Sequence, residues 1–497
     1  MIIQTFTPFG YEGSMVTVEV DLRKGIPAVD IVGLADSEVS SFRERLRSAF
    51  KNQGLEFPSE RVLISLSPAD IKKEGSGYEL PVALAILAAQ NNLTLNEKVF
   101  CMGELQLSGK TRGSLCGTYA ALQTAVANGF KYAIIPDGTE VAVPKGITVY
   151  KVENLPEAYS KLSIICNGFA KVSDVAFPPI PFEEHSLDTL TEKDYSGIEW
   201  LKFGMMIAAA GRHNILAVGG HGGGKTEALK LMGELTPNLT EEEAESVMRI
   251  HSLAGIMHFT NSISKRPFRA PNATTTVEGM CGGGANCRPG EISLAHNGML
   301  FLDDAAEFKT SVLQMLRVPL ESGSITLSRA GRNTTYPADF QLLMTTQSCP
   351  CGNYGSKERV CLCSGRSIDQ YWRKFSAPLL DRVDIRINMF EPGNQKGWTV
   401  EEMRAAVGRA FKAQLDRQGK FNSALTPNEI EEYIVLDDTC RDILDKARVK
   451  YGFSFRAISS IMKLARTYSD IFGEEKISEA AIKTAIDLRK PVNDYSF

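Results

Sequence analysis

Short apolar runs alternate with stretches of helical apolar spacing along most of the 497-residue chain. In the first third, strand-like runs at Met15–Val20, Ala28–Val32 and Val62–Ser67 are interleaved with amphipathic helices predicted over Ser37–Asn52 and Glu79–Asn91. This pattern predicts an independent α/β domain over residues 1–170. At 177–184 the sequence FPPIPFEE interrupts it, because three prolines remove backbone donors and bias their predecessors toward extended geometry. A linker is therefore expected at 171–190.

A second alternation follows. A helix at Ile198–Ala210, a strand at Ile215–Val218 and a helix at Glu227–Leu235 precede apolar strands at Met299–Leu302, Phe340–Thr346 and Val383–Asn388. Strands separated by helices imply a parallel sheet with ligands at the strands' carboxyl ends, so residues 191–392 are expected to form an α/β core. Beyond Pro392 the pattern is wholly helical, over Thr399–Asp416, Asp437–Tyr451, Arg456–Tyr468 and Ser478–Leu488, with Gly452 and Gly473 as punctuation. Residues 393–497 read as a helical bundle.

Composition narrows the class. With 43% apolar and 23% charged residues the chain reads as an ordinary soluble protein, long enough for several cores. A net charge of −4 gives no global attraction to nucleic acid, so such contacts would have to come from local basic patches. No apolar run approaches the ~20 residues of a membrane span, and Met1–Phe9 lacks the basic and apolar regions of a secretory leader. A cytoplasmic location is expected, with the ten cysteines reduced or on metal.

The chemistry concentrates in one octapeptide, Gly219-Gly220-His221-Gly222-Gly223-Gly224-Lys225-Thr226, set between the first core strand and a helix. Glycines allow backbone N–H groups to turn around a phosphate, Lys225 supplies a point charge, and the Thr226 hydroxyl can ligate Mg²⁺. ATP and Mg²⁺ are the expected cofactors. Met299–Leu302 ends in Asp303, placed to hold Mg²⁺ through its water shell, and in Asp304, where hydrolysis usually employs glutamate. Positioning the attacking water tolerates little error, a ~1 Å displacement costing on the order of a hundredfold in rate. Fast turnover, slow turnover and an acidic loop that only binds are all open at this point; Glu307, three residues on, could supply the missing reach.

These residues, with RPFRAP at 266–271, RPGEISLAH at 288–296 and PLLDRVD at 378–384, resemble the magnesium-chelatase-like AAA+ ATPases, and within them the ComM (YifB) family. GIPAVDIVGL at 25–34 and KEGSG at 73–77 resemble that family's N-terminal Lon-protease-like domain. The resemblance implies an AAA+ core, a C-terminal helical lid, a homo-hexamer and a DNA helicase driving branch migration in recombination or natural transformation. It implies that Lys225 and Thr226 bind phosphate and Mg²⁺, that Asp304 and Gln347 place the attacking water, that Arg382 is an arginine finger and that Arg456 is the second sensor. Three departures bear on turnover: Asp304 replaces Glu, Gln347 replaces Asn, and Gly220-His221 replaces Pro-Pro. An ATP-dependent partner of another protein and a nucleotide-binding scaffold with drifted residues are the alternatives.

Two segments are candidates for gripping DNA phosphates in a ring's channel: a hairpin-like insert carrying Arg329 and Arg332, after a helix expected at Ser311–Leu320, and Lys265–Gly284, carrying Arg266 and Arg269. Interface contacts or solvated charge are the other readings of these arginines. Cys349, Cys351, Cys361 and Cys363, spaced C-x-C-x9-C-x-C, are candidate ligands of a structural Zn²⁺, reduced thiols in a loop being the alternative. Ser76 lies where Lon-type proteases hold a nucleophile, but no lysine follows on a helix to act as its base, so the first domain reads as non-proteolytic.

Overall fold

A computed structural model describes residues 2–33, 36–68, 73, 77–94, 97–113, 116–170, 198–256, 263–329, 332–390 and 397–491. The expected linker at 171–190, Ser76 and the hairpin tip at Ala330-Gly331 lie outside the described residues.

The N-terminal third is built on a mixed seven-stranded sheet. Its strands are β1 (Ile2–Thr7), β2 (Ser14–Arg23), β3 (Val29–Val32), β4 (Arg61–Ser67), β5 (Val99–Cys101), β8 (Tyr132–Pro136) and β9 (Thr148–Val152), with β6 (Glu104–Leu105) and β7 (Thr111–Arg112) forming a small separate ribbon. Their order is β3-β4-β2-β1-β5-β8-β9. β1 and β2 pair antiparallel from Ile2↔Glu19 to Thr7↔Ser14, and β5, β8 and β9 add in parallel. The helix expected to be amphipathic, Glu79–Gln90, is instead buried on every side from Glu79 to Ala88. It packs against β1 and β2 and is covered by the helix Leu155–Cys166, so no face meets water.

The core sheet contains β10 (Ile215–Val218), β11 (Phe268–Arg269), β14 (Met299–Leu302), β17 (Gln341–Thr346) and β18 (Ile385–Asn388), in the order β11-β14-β17-β10-β18. Every pairing is parallel, with Ile215 opposite both Leu343 and Ile385. Alternate residues feed two cores: Leu216, Val218, Leu300 and Leu302 face one, Ile215, Ala217, Met299 and Phe301 the other. Coverage on both faces explains why these strands are continuously apolar. Two ribbons extend from the sheet, β12 (Gly282–Gly283) with β13 (Arg288–Pro289), and β15 (Ser324–Arg329) with β16 (Arg332–Pro337).

Two helices predicted as continuous are broken. Lys225–Lys230 and Met232–Leu235 are separate, as are Thr310–Met315 and Pro319–Ser322, where Pro319 opens a new turn because its ring cannot continue the old one. The C-terminal bundle comprises Val400–Gln418, Pro427–Tyr433, Asp438–Tyr451, Phe455–Phe472 and Glu479–Arg489. Thr399, Asp437, Ser454 and Ser478 cap amino ends, and Gly419, Gly452 and Gly473 close carboxyl ends.

The first domain is not packed independently, contrary to the expectation from its pattern. Phe6, Phe100 and Tyr119 share one core with Met248, Leu253 and Tyr336. Arg249 seals that junction, donating to the carbonyls of Tyr11 (3.0 Å), Glu12 (2.8 Å) and Ala120 (3.2 Å).

Candidate functional site

The phosphate-loop octapeptide leaves the carboxyl end of β10 and enters the helix Lys225–Lys230. Gly222 and Gly224 have φ of +74° and +75°, which a side chain would resist, and this curls the loop. Lys225 is 7% exposed, and its Nζ donates to the carbonyls of Gly219 (2.9 Å) and Gly220 (2.7 Å). Burial lowers its pKa, against the opposing pull of Asp304 and Asp303.

Two strands away, β14 ends at the acidic pair. The Thr226 hydroxyl donates to Asp303 Oδ1 at 2.8 Å, and Thr345 donates to the same oxygen at 2.7 Å while its own oxygen accepts from the Asp304 N–H at 2.8 Å. Thr345, fully buried on β17, thus fixes both acids; sequence reasoning missed it, although a polar residue ending an apolar strand was the available signal. Thr226 and Asp303 are hard oxygen donors already brought together, which fits Mg²⁺. Asp304 adopts left-handed backbone (φ 45°, ψ 57°), a region Asp tolerates better than most residues. Glu307 is exposed, one 3₁₀ turn on, its N–H bonded to the Asp304 carbonyl.

Gln347 follows β17 and lies 3.4 Å from His221 through Nε2 and Nδ1. The Tyr371 hydroxyl bonds Thr346 Oγ1 (2.9 Å) and accepts the Gln347 N–H (3.3 Å). Nothing in the local sequence around Tyr371 announces that role, because it arrives from a helix 24 residues further along.

Arg382 and Arg456 are elsewhere. Asn214, just before β10, donates from Nδ2 to the Arg382 carbonyl at 2.9 Å, which places Arg382 at the amino edge of the sheet. The phosphate loop is at the carboxyl edge, a four-residue strand or ~13 Å away. Arg456 opens the helix Phe455–Phe472 at that same amino edge, where the Ser454 hydroxyl donates to Asp381 (3.1 Å). Both arginines converge on Glu321: Arg382 Nη2 donates to Oε2, and Arg456 Nη2 to Oε1 at 2.9 Å. Their hydrogen bonds, Arg382 first, lower the Glu321 pKa.

Comparison with known proteins places the chain in a family. Residues 193–396 match a family described as "Magnesium chelatase, subunit ChlI", residues 18–139 one described as "Subunit ChlI of Mg-chelatase", and residues 397–489 "Magnesium chelatase, subunit ChlI C-terminal". The chain is 35% identical to YifB of Escherichia coli, across 98% of this chain and 96% of that protein. It is 34% identical to the competence protein ComM of Haemophilus influenzae, across 99% and 97%. The chain belongs to the ComM/YifB family. A Mycobacterium tuberculosis relative is 31% identical over 97% of each chain.

In this ComM/YifB-family chain the four clustered cysteines do meet. Their Sγ atoms lie within 4.8 Å of one another, with Cys349 3.4 Å from Cys351 and 3.6 Å from Cys361. Four thiolates about 2.3 Å from one Zn²⁺ sit about 3.8 Å apart along a tetrahedron's edges, so the donor set fits. The loop they close begins beside Gln347, and a Cβ on Gly352 would stand 3.0 Å from the His221 ring.

The candidate DNA arginines divide. Arg266 is a correction to the sequence reading: its side chain is 2% exposed and donates to the carbonyls of Pro237 (2.8 Å) and Asn297 (2.7 Å) and to Glu243 (2.9 Å), so it cannot reach a polyanion. Arg269 is half-buried and held bidentately by Glu291 at 2.7 and 2.8 Å. Arg329 is exposed at the end of β15, and Arg332 lies over the Phe9 ring at 5.1 Å. No helix among the described residues is long and apolar enough to cross a membrane.

Proposed function

We propose that this protein is an ATP-hydrolysing ring motor acting on branched or single-stranded DNA, with each active site completed by a neighbouring copy. The carrying observation is the separation of Arg382 and Arg456, at one edge of the core sheet, from Lys225, Thr226 and Asp303 at the other. Cations that cannot reach their own subunit's phosphate loop suit a head-to-tail ring, in which one copy's amino edge meets the next copy's carboxyl edge.

In this reading Gly219–Thr226 cradles the phosphates, and Thr226 with Asp303 holds Mg²⁺. A Mg²⁺ ion held there would supply positive charge to offset that of the phosphates. Asp304, held by Thr345, and Gln347, held by Tyr371 and His221, face the position of the attacking water. The neighbour's Arg382 and Arg456 leave Glu321 and neutralise charge developing on the transferred phosphoryl group. Asp304 keeps its carboxylate one methylene short, so hydrolysis is slow rather than absent.

A closed Zn²⁺ site at Cys349, Cys351, Cys361 and Cys363 anchors the loop beside Gln347; four protein ligands leave no open position for chemistry. DNA is gripped by the β15–β16 hairpin, with Arg329 foremost. The relative named a competence protein favours DNA as the object of work.

The test is steady-state ATPase with and without forked DNA, beside Lys225→Ala. Turnover above that control and raised several-fold by DNA is expected. A rate equal to the control sinks hydrolysis, and stimulation only by a protein partner sinks the DNA assignment.

A further inference from the structure

Behind the paired arginines, a cavity of about 390 Å³ opens between the start of β18 and the C-terminal bundle. Four guanidinium groups line it, those of Arg382, Arg386, Arg456 and Arg489, together with Asp381. Three carboxylates answer them. Glu321 takes Arg382 and Arg456, Asp381 takes Arg489 at 3.0 Å, and half-buried Asp384 accepts from Ser460 at 2.5 Å and lies 3.7 Å from His213. Among these named groups of the described residues, four guanidinium charges stand against three carboxylates, one cation in excess.

That excess is localised. Arg386 donates from Nη2 to the Leu380 carbonyl at 2.8 Å, and no carboxylate among the described residues hydrogen-bonds to it. The Nε groups of Arg382, Arg386 and Arg489 are all buried without an acceptor among the described residues. Arg489 is itself only 1% exposed and is otherwise committed to the carbonyls of Asp381 and Val383. Buried guanidinium groups are ordinarily paired, and unpaired donors in a polar cavity are costly unless an anion reaches them.

We infer that this cavity is an anion subsite for a phosphoryl group, separate from the phosphate loop and lying behind Arg382, with Arg386 as its principal cation. A planar fork of N–H donors suits tetrahedral oxyanions. Such an anion has two sources: free phosphate or pyrophosphate, or the nucleotide held by an adjacent copy. The second source rests on the ring reading above; the subsite itself does not.

The experiment uses the full chain carrying Lys225→Ala, which silences the phosphate loop, and titrates sodium pyrophosphate at constant ionic strength while following thermal unfolding. A saturable rise in Tm is expected, corresponding to an about elevenfold shift in the folding equilibrium at ten times Kd. Adding Arg386→Gln should abolish the rise without lowering Tm in its absence, because the variant removes a half-buried charge that no carboxylate among the described residues pairs. Arg386→Lys should retain part of the response. An equal rise with and without Arg386, or none in the Lys225→Ala chain, overturns the subsite. In the chain with Lys225 intact, Arg386→Gln raises the ATP concentration needed for assembly if the anion is a neighbour's nucleotide, and leaves it unchanged if the anion is free.

Discussion

If the protein hydrolyses ATP as proposed, Asp304 is where a single methylene would decide the rate. Its N–H is fixed by Thr345 and its backbone is left-handed, so the carboxylate cannot creep forward to compensate for its shorter chain. Glutamate would restore the reach at the cost of some backbone strain. A misplacement of ~1 Å costs on the order of a hundredfold, or about 2.7 kcal/mol, whereas a left-handed residue costs about 1–2 kcal/mol, part of which Asp already bears. Reach should win: Asp304→Glu is expected to raise kcat about tenfold with KM little changed, read from steady-state ATPase, and Asp304→Asn to remove turnover. His296 carries a different prediction. Burial depresses its pKa to about 4 while its Nδ1 accepts the Asp339 N–H at 3.1 Å. The unfolded imidazole binds a proton near pH 6.5 and the folded one resists it, so stability is complete above pH 6.5 and declines as pH falls toward 4. The loss, up to about 3 kcal/mol across that window, should appear in denaturant midpoints and shrink in His296→Asn.

The elements that sequence reveals best are those whose partners are local. The strand–loop–helix turn at Gly219–Thr226 was legible because strand, glycines and Lys-Thr are contiguous, and the bundle helices because their caps lie at their own ends. Arg266 was not legible as a structural residue: it sits in a basic-looking segment, and its carbonyl partners come from residues 237 and 297. The Glu79–Gln90 helix misled for the same reason, since burial on all sides depends on what the other elements cover. The cysteine loop lies between these cases, its spacing suggesting a metal and only its fold bringing four sulfurs together. Purified protein should contain about one Zn²⁺ per chain by elemental analysis. Cys361→Ser should lose it and lower Tm by several degrees, and the ATPase should fall with it because Gln347 borders that loop.

At the scale of the whole molecule, the sheet's polarity separates the two halves of the chemistry. β10 and β18 run parallel in register, so whatever precedes β18 is held a strand's length from whatever follows β10. Within one copy, Glu321 is therefore the anion that Arg382 and Arg456 do reach. In the proposed head-to-tail ring, assembly would exchange that carboxylate for a neighbour's phosphate, and activity would then be a property of interfaces. Lys225→Ala and Arg382→Ala should each be inactive alone. In an equimolar mixture, an Arg382→Ala copy retains its phosphate loop and meets an intact arginine whenever its finger-donating neighbour is a Lys225→Ala copy. Random head-to-tail assembly produces that arrangement at about a quarter of interfaces. The mixture should regain roughly that fraction of wild-type ATPase, more if partial rings cooperate and only at concentrations that permit assembly. If the arginine instead served its own subunit, no mixing ratio would restore activity, because each copy would lack one half of its own site.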